Sequence, residues 1–287
     1  MSERDPFEAL DNDGLPMPRD DVGPWAEEKY LLLYNYVNTF ATAMKKKWDQ
    51  RVYIDLFAGA GRVKMRVTGK IVRSSPLLAL EINDQFDRYI FCEKKTTLIH
   101  TLKKRVSIDY SEANVQYVEG DVNKRIDQVI EYIPRPSRTN KVLGFCFVDP
   151  YKMENLHFST VTKLANFLID FLILIPTHMD AARNLSSYYN TDNNTVEKYL
   201  SKPNWREEWD KVQLNNPDFK MFIADSIEQQ MKSLGYLYGG LPESVIVRWK
   251  LRNLKLYLLG LYCRHELGEQ FWKDAKKYSG DQQNLFE

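Results

Sequence analysis

The sequence has little that would mark it as a secreted, membrane or metal-binding protein. Only three cysteines occur among 287 residues, and they stand singly, with Cys92 and Cys146 inside apolar runs. We therefore expect reduced core thiols, with no disulfide and no metal cluster. The longest uncharged apolar run, "FLILIP" at 171–176, is far below the roughly 20 residues that span a bilayer. Since the N-terminus also lacks an apolar signal segment, these absences predict a cytoplasmic chain without membrane contact.

The chain also lacks an excess of either charge. It carries 40 basic and 39 acidic side chains, a formal net charge of +1. A chain so balanced exerts no strong overall attraction on a polyanion. The composition therefore disfavours an independent nucleic-acid binder.

Strand-like and helix-like periods alternate through the first part of the chain. Residues 1–20, rich in Asp and Pro, predict a flexible or loosely docked arm, and 21–287 predict one domain. Five strand-and-helix units follow, since alternation of this kind predicts parallel strands with right-handed crossovers. The fold class is therefore α/β, a doubly wound, mostly parallel sheet. The predicted strands cover 52–57, 88–93, 114–121, 141–150 and 170–176.

The alternation of strands and helices ends after the fifth predicted strand. Residues 177–232 are polar and rich in Asn and aromatic residues, which predicts a helical insertion that contacts a substrate or a partner. Two strand-like runs, 244–250 and 254–263, are then separated by only a few residues. So short a connection permits an antiparallel hairpin but not a parallel crossover. A parallel sheet that ends in an antiparallel pair resembles the class I methyltransferases, which use S-adenosylmethionine (SAM).

The stretch "RVYIDLFAGAGRVKM", residues 51–65, is a buried strand followed by a glycine turn. Gly59 and Gly61 predict a tight strand-to-helix corner against which a ligand lies closely. The third glycine of a dinucleotide fingerprint is missing, because Arg62, Val63 and Lys64 follow. "DLFAGAG" instead resembles the SAM loop of class I methyltransferases.

An acidic residue ends, or closely follows, each of the first three predicted strands. By this resemblance, Asp55 and Phe57 hold the amino-acid part of SAM with the two glycines, and Glu93 accepts the ribose hydroxyls. Asp121 accepts the adenine amino group, with Val122 beside the ring. A carboxylate suits a cationic ligand and would repel a pyrophosphate. For each acid taken alone, a solvated loop residue is an equally good interpretation.

The fourth predicted strand ends in "FVDPY". Asp149, Pro150 and Tyr151 resemble the motif by which amino-methylating enzymes orient a target amine and stack a planar acceptor, with one proline fewer. These three are the predicted catalytic residues. The competing interpretation makes Asp149 the cap of a loop and Tyr151 a locally packed ring.

A closer resemblance covers most of the chain. The segments "VGPWAEEKYLLLYNYV", "YIDLFAGAGR", "FVDPY" and "LYLLGLYCRHELGEQFWKDAKK" are similar to the three-Cys-motif partner (TcmP) family. That resemblance implies a methyltransferase-like fold, a SAM pocket and a neighbouring three-cysteine partner of the radical-SAM type. It leaves two functions open: methyl transfer, or SAM binding by a non-catalytic partner. A third, distant alternative is a dinucleotide-dependent oxidoreductase.

Two further features have alternative interpretations. The aromatic residues between 188 and 209 stack nucleobases, or they contact a protein partner. His265 is a helix-start or packing residue rather than a base.

Overall fold

The structure is a computed structural model that describes residues 13–17, 22–214, 218–249 and 252–282. By their internal contacts these residues form two compact units. The first runs up to Phe147 and resumes at Gln270, and the second is Val148–Glu269. The boundary between the two units therefore lies between Phe147 and Val148. No helix among the described residues is long and apolar enough to cross a membrane.

Among its described residues, the first unit contains four parallel strands and the helices that precede or connect them, with a small hairpin between the first two of those strands. In the order β5-β4-β1-β6, neighbouring strands of this unit are hydrogen-bonded. The elements are α1 (Trp25–Met44), β1 (Gln50–Asp55), β2 (Arg62–Lys64), β3 (Ile71–Arg73), α2 (Ser75–Leu80), β4 (Arg88–Glu93), α3 (Thr96–Asp109), β5 (Val115–Glu119), α4 (Val122–Glu131) and β6 (Val142–Val148).

The core of this unit is aromatic. Strand β1 is buried from Arg51 to Asp55, as a central parallel strand requires. The Tyr53 ring lies 5.8 Å from the Phe145 ring, which in turn lies 5.2 Å from Tyr36 of α1. Stacked and tilted ring pairs of this kind add about 0.5–1.5 kcal/mol each beyond the area they bury. The packing fixes β1 and β6, whose carboxyl ends border the glycine turn.

The prediction that a helix directly follows the glycine turn is wrong. The glycine turn leads into the β2–β3 hairpin, and α2 begins only at Ser75. The hairpin forms because Val63 and Val72 pack against Ala26 and Tyr30 of α1. Helix α1 is remote from the hairpin in the sequence, so a pattern local to the glycine turn does not predict the hairpin.

The segment that precedes α1 is attached to the same hairpin. Val22 donates its amide to the Lys64 carbonyl at 2.9 Å and accepts from Arg66 at 2.8 Å. Gly23 lies under the ring of Trp25, so that any side chain at this position would collide with the indole. The "VGPWA" block thus has a structural role.

The second unit combines antiparallel strands with a set of helices. Strand β10 pairs antiparallel with β7, β8 and β9. The predicted hairpin at 244–263 is therefore confirmed, as is the α/β class with its parallel strands and antiparallel pair. The elements are α5 (Phe158–Leu164), β7 (Ile169–Ile175), a π-helical turn (Thr177–Ala181), α6 (Ala182–Tyr189), α7 (Thr195–Leu200), α8 (Trp205–Gln213), α9 (Phe219–Ser233), β8 (Tyr238–Gly239), β9 (Val245–Trp249), β10 (Leu254–Cys263) and α10 (Glu266–Gln282), which ends in the first unit.

The aromatic residues of the predicted insertion form a core. Tyr188, Tyr199, Trp205 and Trp209 are each at most 7% exposed. Trp209 packs 5.1 Å from Phe219 of α9, ring centroid to ring centroid. The expectation that these four rings stack nucleobases is therefore wrong.

The isolated cysteines and His265 lie where the sequence indicated. Cys92, Cys146 and Cys263 are buried free thiols. The His265 ring accepts a hydrogen bond from the amide of Leu267 at 3.1 Å, so it caps the start of α10.

Candidate functional site

Three carboxylates lie at the carboxyl ends of neighbouring parallel strands in the first unit. Asp55 ends β1 and Glu93 ends β4, while Asp121 follows β5 and precedes α4. The strands pair side by side, with Asp55 opposite Phe91 and Glu93 opposite Glu119. Ligands of open α/β sheets bind at this edge.

All three acids influence the pKa of the buried Cys92 thiol. Burial, followed in order by the charges of Glu93, Asp55 and Asp121, raises its pKa to about 12. All three carboxylates therefore act on one buried sulfur atom, since a nearby negative charge disfavours a thiolate.

Asp55 is fully buried at the start of the glycine turn. Its Oδ1 accepts a hydrogen bond from the amide of Phe57 at 3.1 Å. The turn is also attached to β4, because the amide of Ala58 donates to the Cys92 carbonyl at 2.9 Å. The half-buried Phe57 thus has a fixed backbone.

Glu93 holds the glycine turn from the neighbouring strand. Its Oε2 accepts from the amide of Gly59 at 3.0 Å, and its Oε1 accepts from the amide of Lys95 at 2.7 Å. A carboxylate has about four lone-pair sites. Glu93 can therefore accept further hydroxyl donors while it positions Gly59.

Asp121 is the N-cap of α4. Its Oδ1 accepts from the backbone and side-chain nitrogens of Asn123, both at 3.0 Å, and its Oδ2 lies 3.4 Å from Lys94 Nζ. Helix capping is enough to explain an aspartate here. Val122 behind it is buried. The adenine contact stays a prediction.

The two glycines of the turn are there for different reasons. Gly59 has φ +63°, and a Cβ built on it meets nothing within 4 Å. Gly61 has φ +84°, and its Cβ would lie 2.8 Å from Leu102 and 2.9 Å from Leu77. Open space for a ligand thus borders Gly59, whereas Gly61 is required by packing.

The sequence analysis missed an arginine that holds this turn from behind. Arg105 of α3 is 1% exposed and donates to the Ala60 carbonyl at 2.6 Å. The same side chain contacts Asp13 at 2.7 Å and the Pro16 carbonyl at 3.2 Å. An arginine in the apolar stripe of α3, beside Leu102, was the available signal.

The predicted arm therefore includes a docked part. Residues 13–17 lie against Arg105, and Asp13 also pairs with Arg62 at 2.9 Å. Burial alone would raise the pKa of Asp13, but hydrogen bonds from Arg105 and the Leu15 amide, with the charges of Arg105 and Arg62, lower it overall. Residues 1–12 and 18–20 lie outside the described residues.

The three predicted catalytic residues belong to the second unit, and the seven predicted cofactor residues to the first. Asp149 follows β6 and is half-buried, Pro150 is buried, and the Tyr151 ring is 80% exposed. The exposed ring contradicts local packing of Tyr151.

A buried acid that the sequence analysis missed holds the backbone just after this motif. Asp180, in the π-helical turn, is 3% exposed, and its Oδ2 accepts from the amide of Met153 at 2.7 Å. Its Oδ1 accepts from Asn184 at 2.7 Å and from the Tyr188 hydroxyl at 2.5 Å. The loop that carries Tyr151 thus has a rigid support.

Comparison with known proteins gives likenesses among solved structures alone. No family model and no curated protein matches the chain. An O-methyltransferase from Bacillus cereus, in complex with SAH, is 12% identical, with 85% of this chain and 84% of that chain covered and a TM-score of 0.44. TomG, an O-methyltransferase from Streptomyces achromogenes in complex with SAM, is 12% identical over 79% of both chains, with a TM-score of 0.41.

A third solved structure is magnesium protoporphyrin IX methyltransferase from Synechocystis with bound SAH. It is 9% identical, with 86% of this chain and 90% of that chain covered, and the TM-score is 0.39. A functional assignment for this chain therefore depends on the residues of its site.

Proposed function

We propose that the chain is a SAM-dependent methyltransferase that acts on the amino group of a planar acceptor such as a nucleobase. The observation that carries this proposal is that Asp55, Glu93 and Asp121 lie at the ends of neighbouring parallel strands, where Glu93 accepts from the Gly59 amide and the space beside Gly59 is open. SAM is a cation with an ammonium group and two ribose hydroxyls, and carboxylates are strong acceptors for such donors.

The same three acids disfavour a dinucleotide. The pyrophosphate of NAD carries negative charge and requires amide donors at a helix N-terminus. Here a hairpin, not a helix, follows the glycine turn, and the amide of Gly59 donates to Glu93. Both features fit a cationic ligand.

The residues of the fourth strand end would orient the acceptor. The Asp149 carboxylate accepts a hydrogen bond from the target amine, and the Tyr151 ring stacks on the plane of the acceptor. Pro150 fixes the backbone between them, since its φ is restricted. SAM, when bound, supplies an activated methyl group on a sulfonium, so that the protein's task is alignment.

The test is a tritium-transfer screen with labelled SAM over host DNA, RNA and protein. Asp149→Ala should lower transfer to the acceptor that the screen identifies by roughly a hundredfold, with nearly unchanged SAM affinity, because an interaction made mainly in the transition state is lost. Glu154→Ala, which removes an exposed acid five residues further on, is the matched control and should transfer at the wild-type rate.

Two results would contradict the proposal in different ways. Transfer by Asp149→Ala at the wild-type rate would mean that this carboxylate does not orient the amine. Tight SAM binding with no labelled acceptor, with and without a three-cysteine partner protein, would favour a SAM-binding partner instead of an enzyme. We place either function in the cytoplasm, because the three cysteines are free and buried.

A further inference from the structure

Three basic side chains of the second unit act electrostatically on His178. Lys220 begins α9, while Arg248 and Lys255 lie on the β9–β10 hairpin. The pKa of His178 is lowered first by burial and then by Lys220, Lys255 and Arg248. These three cations are therefore close enough to the imidazole to disfavour its protonation.

Two of the cations oppose each other directly. In the register of the β9–β10 hairpin, Arg248 is the partner of Lys255. Like charges at directly opposed positions of an antiparallel pair destabilise a sheet. A fourth cation, Arg252, lies at the turn of the same hairpin, 4.2 Å from the Trp249 ring centroid.

An acidic residue, Asp218, lies near this group of cations. Asp218 raises the pKa of His178, opposing the three cations. Its carboxylate already pairs with Lys220 Nζ at 2.7 Å and accepts from the Lys220 amide at 3.0 Å. Arg248 donates to a neutral acceptor, the Asn253 side-chain oxygen, at 3.4 Å.

We propose that the β9–β10 hairpin, with Lys220, binds the phosphates of a nucleic-acid strand. The cations extend over a hairpin and a helix, which suits a chain of phosphates better than a single small anion. This local charge exists in a chain whose net charge is only +1. The choice of nucleic acid rests on the proposed function, because a nucleobase is the acceptor suggested there.

The test measures binding of short fluorescein-labelled single strands of DNA and RNA by anisotropy, over a series of salt concentrations and without SAM. The double variant Arg248→Gln/Lys255→Gln should bind roughly tenfold more weakly at low salt, and its slope of log K against log salt should fall by about 1.4, as expected for two lost phosphate contacts. Lys46→Gln/Lys47→Gln removes the same charge from exposed positions after α1 and should bind like wild type.

Several outcomes would overturn the proposal. Equal losses in the two double variants would show that only overall charge matters. Absence of binding by the wild-type chain would show that the hairpin binds no nucleic acid. Binding of polyglutamate in preference to either oligonucleotide would assign the hairpin to an acidic protein. Because no SAM and no methyl transfer enter the assay, its failure is distinct from failure of the proposed function.

Discussion

The acidic strand ends of the first unit and the basic hairpin of the second differ in how their charges are compensated. Glu93 receives two backbone amides and Asp121 caps a helix. In the hairpin, Arg248 and Lys255 oppose each other. Charges with partners stabilise a fold, whereas opposed like charges destabilise it. Removal of a charge should therefore have opposite effects on stability in the two regions.

The largest expected effect is the loss of the arginine behind the glycine turn. Arg105→Met should lower the free energy of unfolding by about 3 kcal/mol, because it leaves the Ala60 carbonyl without its buried donor and removes one of the two arginines that pair with Asp13. Urea unfolding measures this change. The control is Lys104→Met, at an exposed position on the same helix, which should change stability by less than about 0.5 kcal/mol. Equal losses of stability in Arg105→Met and Lys104→Met would mean that the buried partners of Arg105 do not stabilise the first unit.

A smaller effect is expected at Asp13. Asp13→Asn should lower stability by about 1–2 kcal/mol at neutral pH, since a charged hydrogen-bonding partner of Arg105 and Arg62 is lost. The folded-state pKa of Asp13 is lowered below its usual value of 3.8. The contribution of its charge is therefore present above pH 3.8 and lost as pH falls through the folded pKa.

Urea unfolding of wild type and Asp13→Asn over a pH series checks this sign. The difference between the two proteins should shrink in acid. A difference that grows as pH falls would mean that the docked segment is not held by an ionised Asp13.

The smallest effect has the opposite sign. Lys255→Gln should raise the free energy of unfolding by about 0.5 kcal/mol, because it relieves repulsion from Arg248. Lys46→Gln, at an exposed position in the turn after α1, should leave stability nearly unchanged. If Lys255→Gln destabilised the protein, the Lys255 charge would stabilise the folded state, and its repulsion from Arg248 would not be the dominant effect.

Much of the first unit could be predicted because its strands are short apolar runs that end in polar residues. The prediction of a strand at 88–93 matches β4, and that at 52–57 differs from β1 by two residues at each end. The sequence also placed Asp55 and Glu93 at strand ends, where both lie. The hairpin after the glycines was missed, because it depends on packing against α1, which is remote in the chain.

The second unit was harder to predict for the same reason. Trp205 and Trp209 stand among polar residues, and only their packing on Phe219 of α9 makes them core. Arg105 and Asp180 escaped notice because several of their partners are backbone atoms of distant segments. Such partners leave no pattern near the residue itself.

Calorimetry with SAM, its demethylated product and NAD tests the central claim most directly. Wild type should bind SAM and the product but not NAD, and Gly59→Val should lose SAM binding by roughly a hundredfold or more, because a side chain would fill the open space beside the turn. Gly69→Val is the matched control, with φ +69° and open surroundings in the β2–β3 turn, so that it carries the same backbone strain but should bind SAM normally. Binding of NAD without SAM, or undiminished SAM affinity in a folded Gly59→Val protein, would contradict the account.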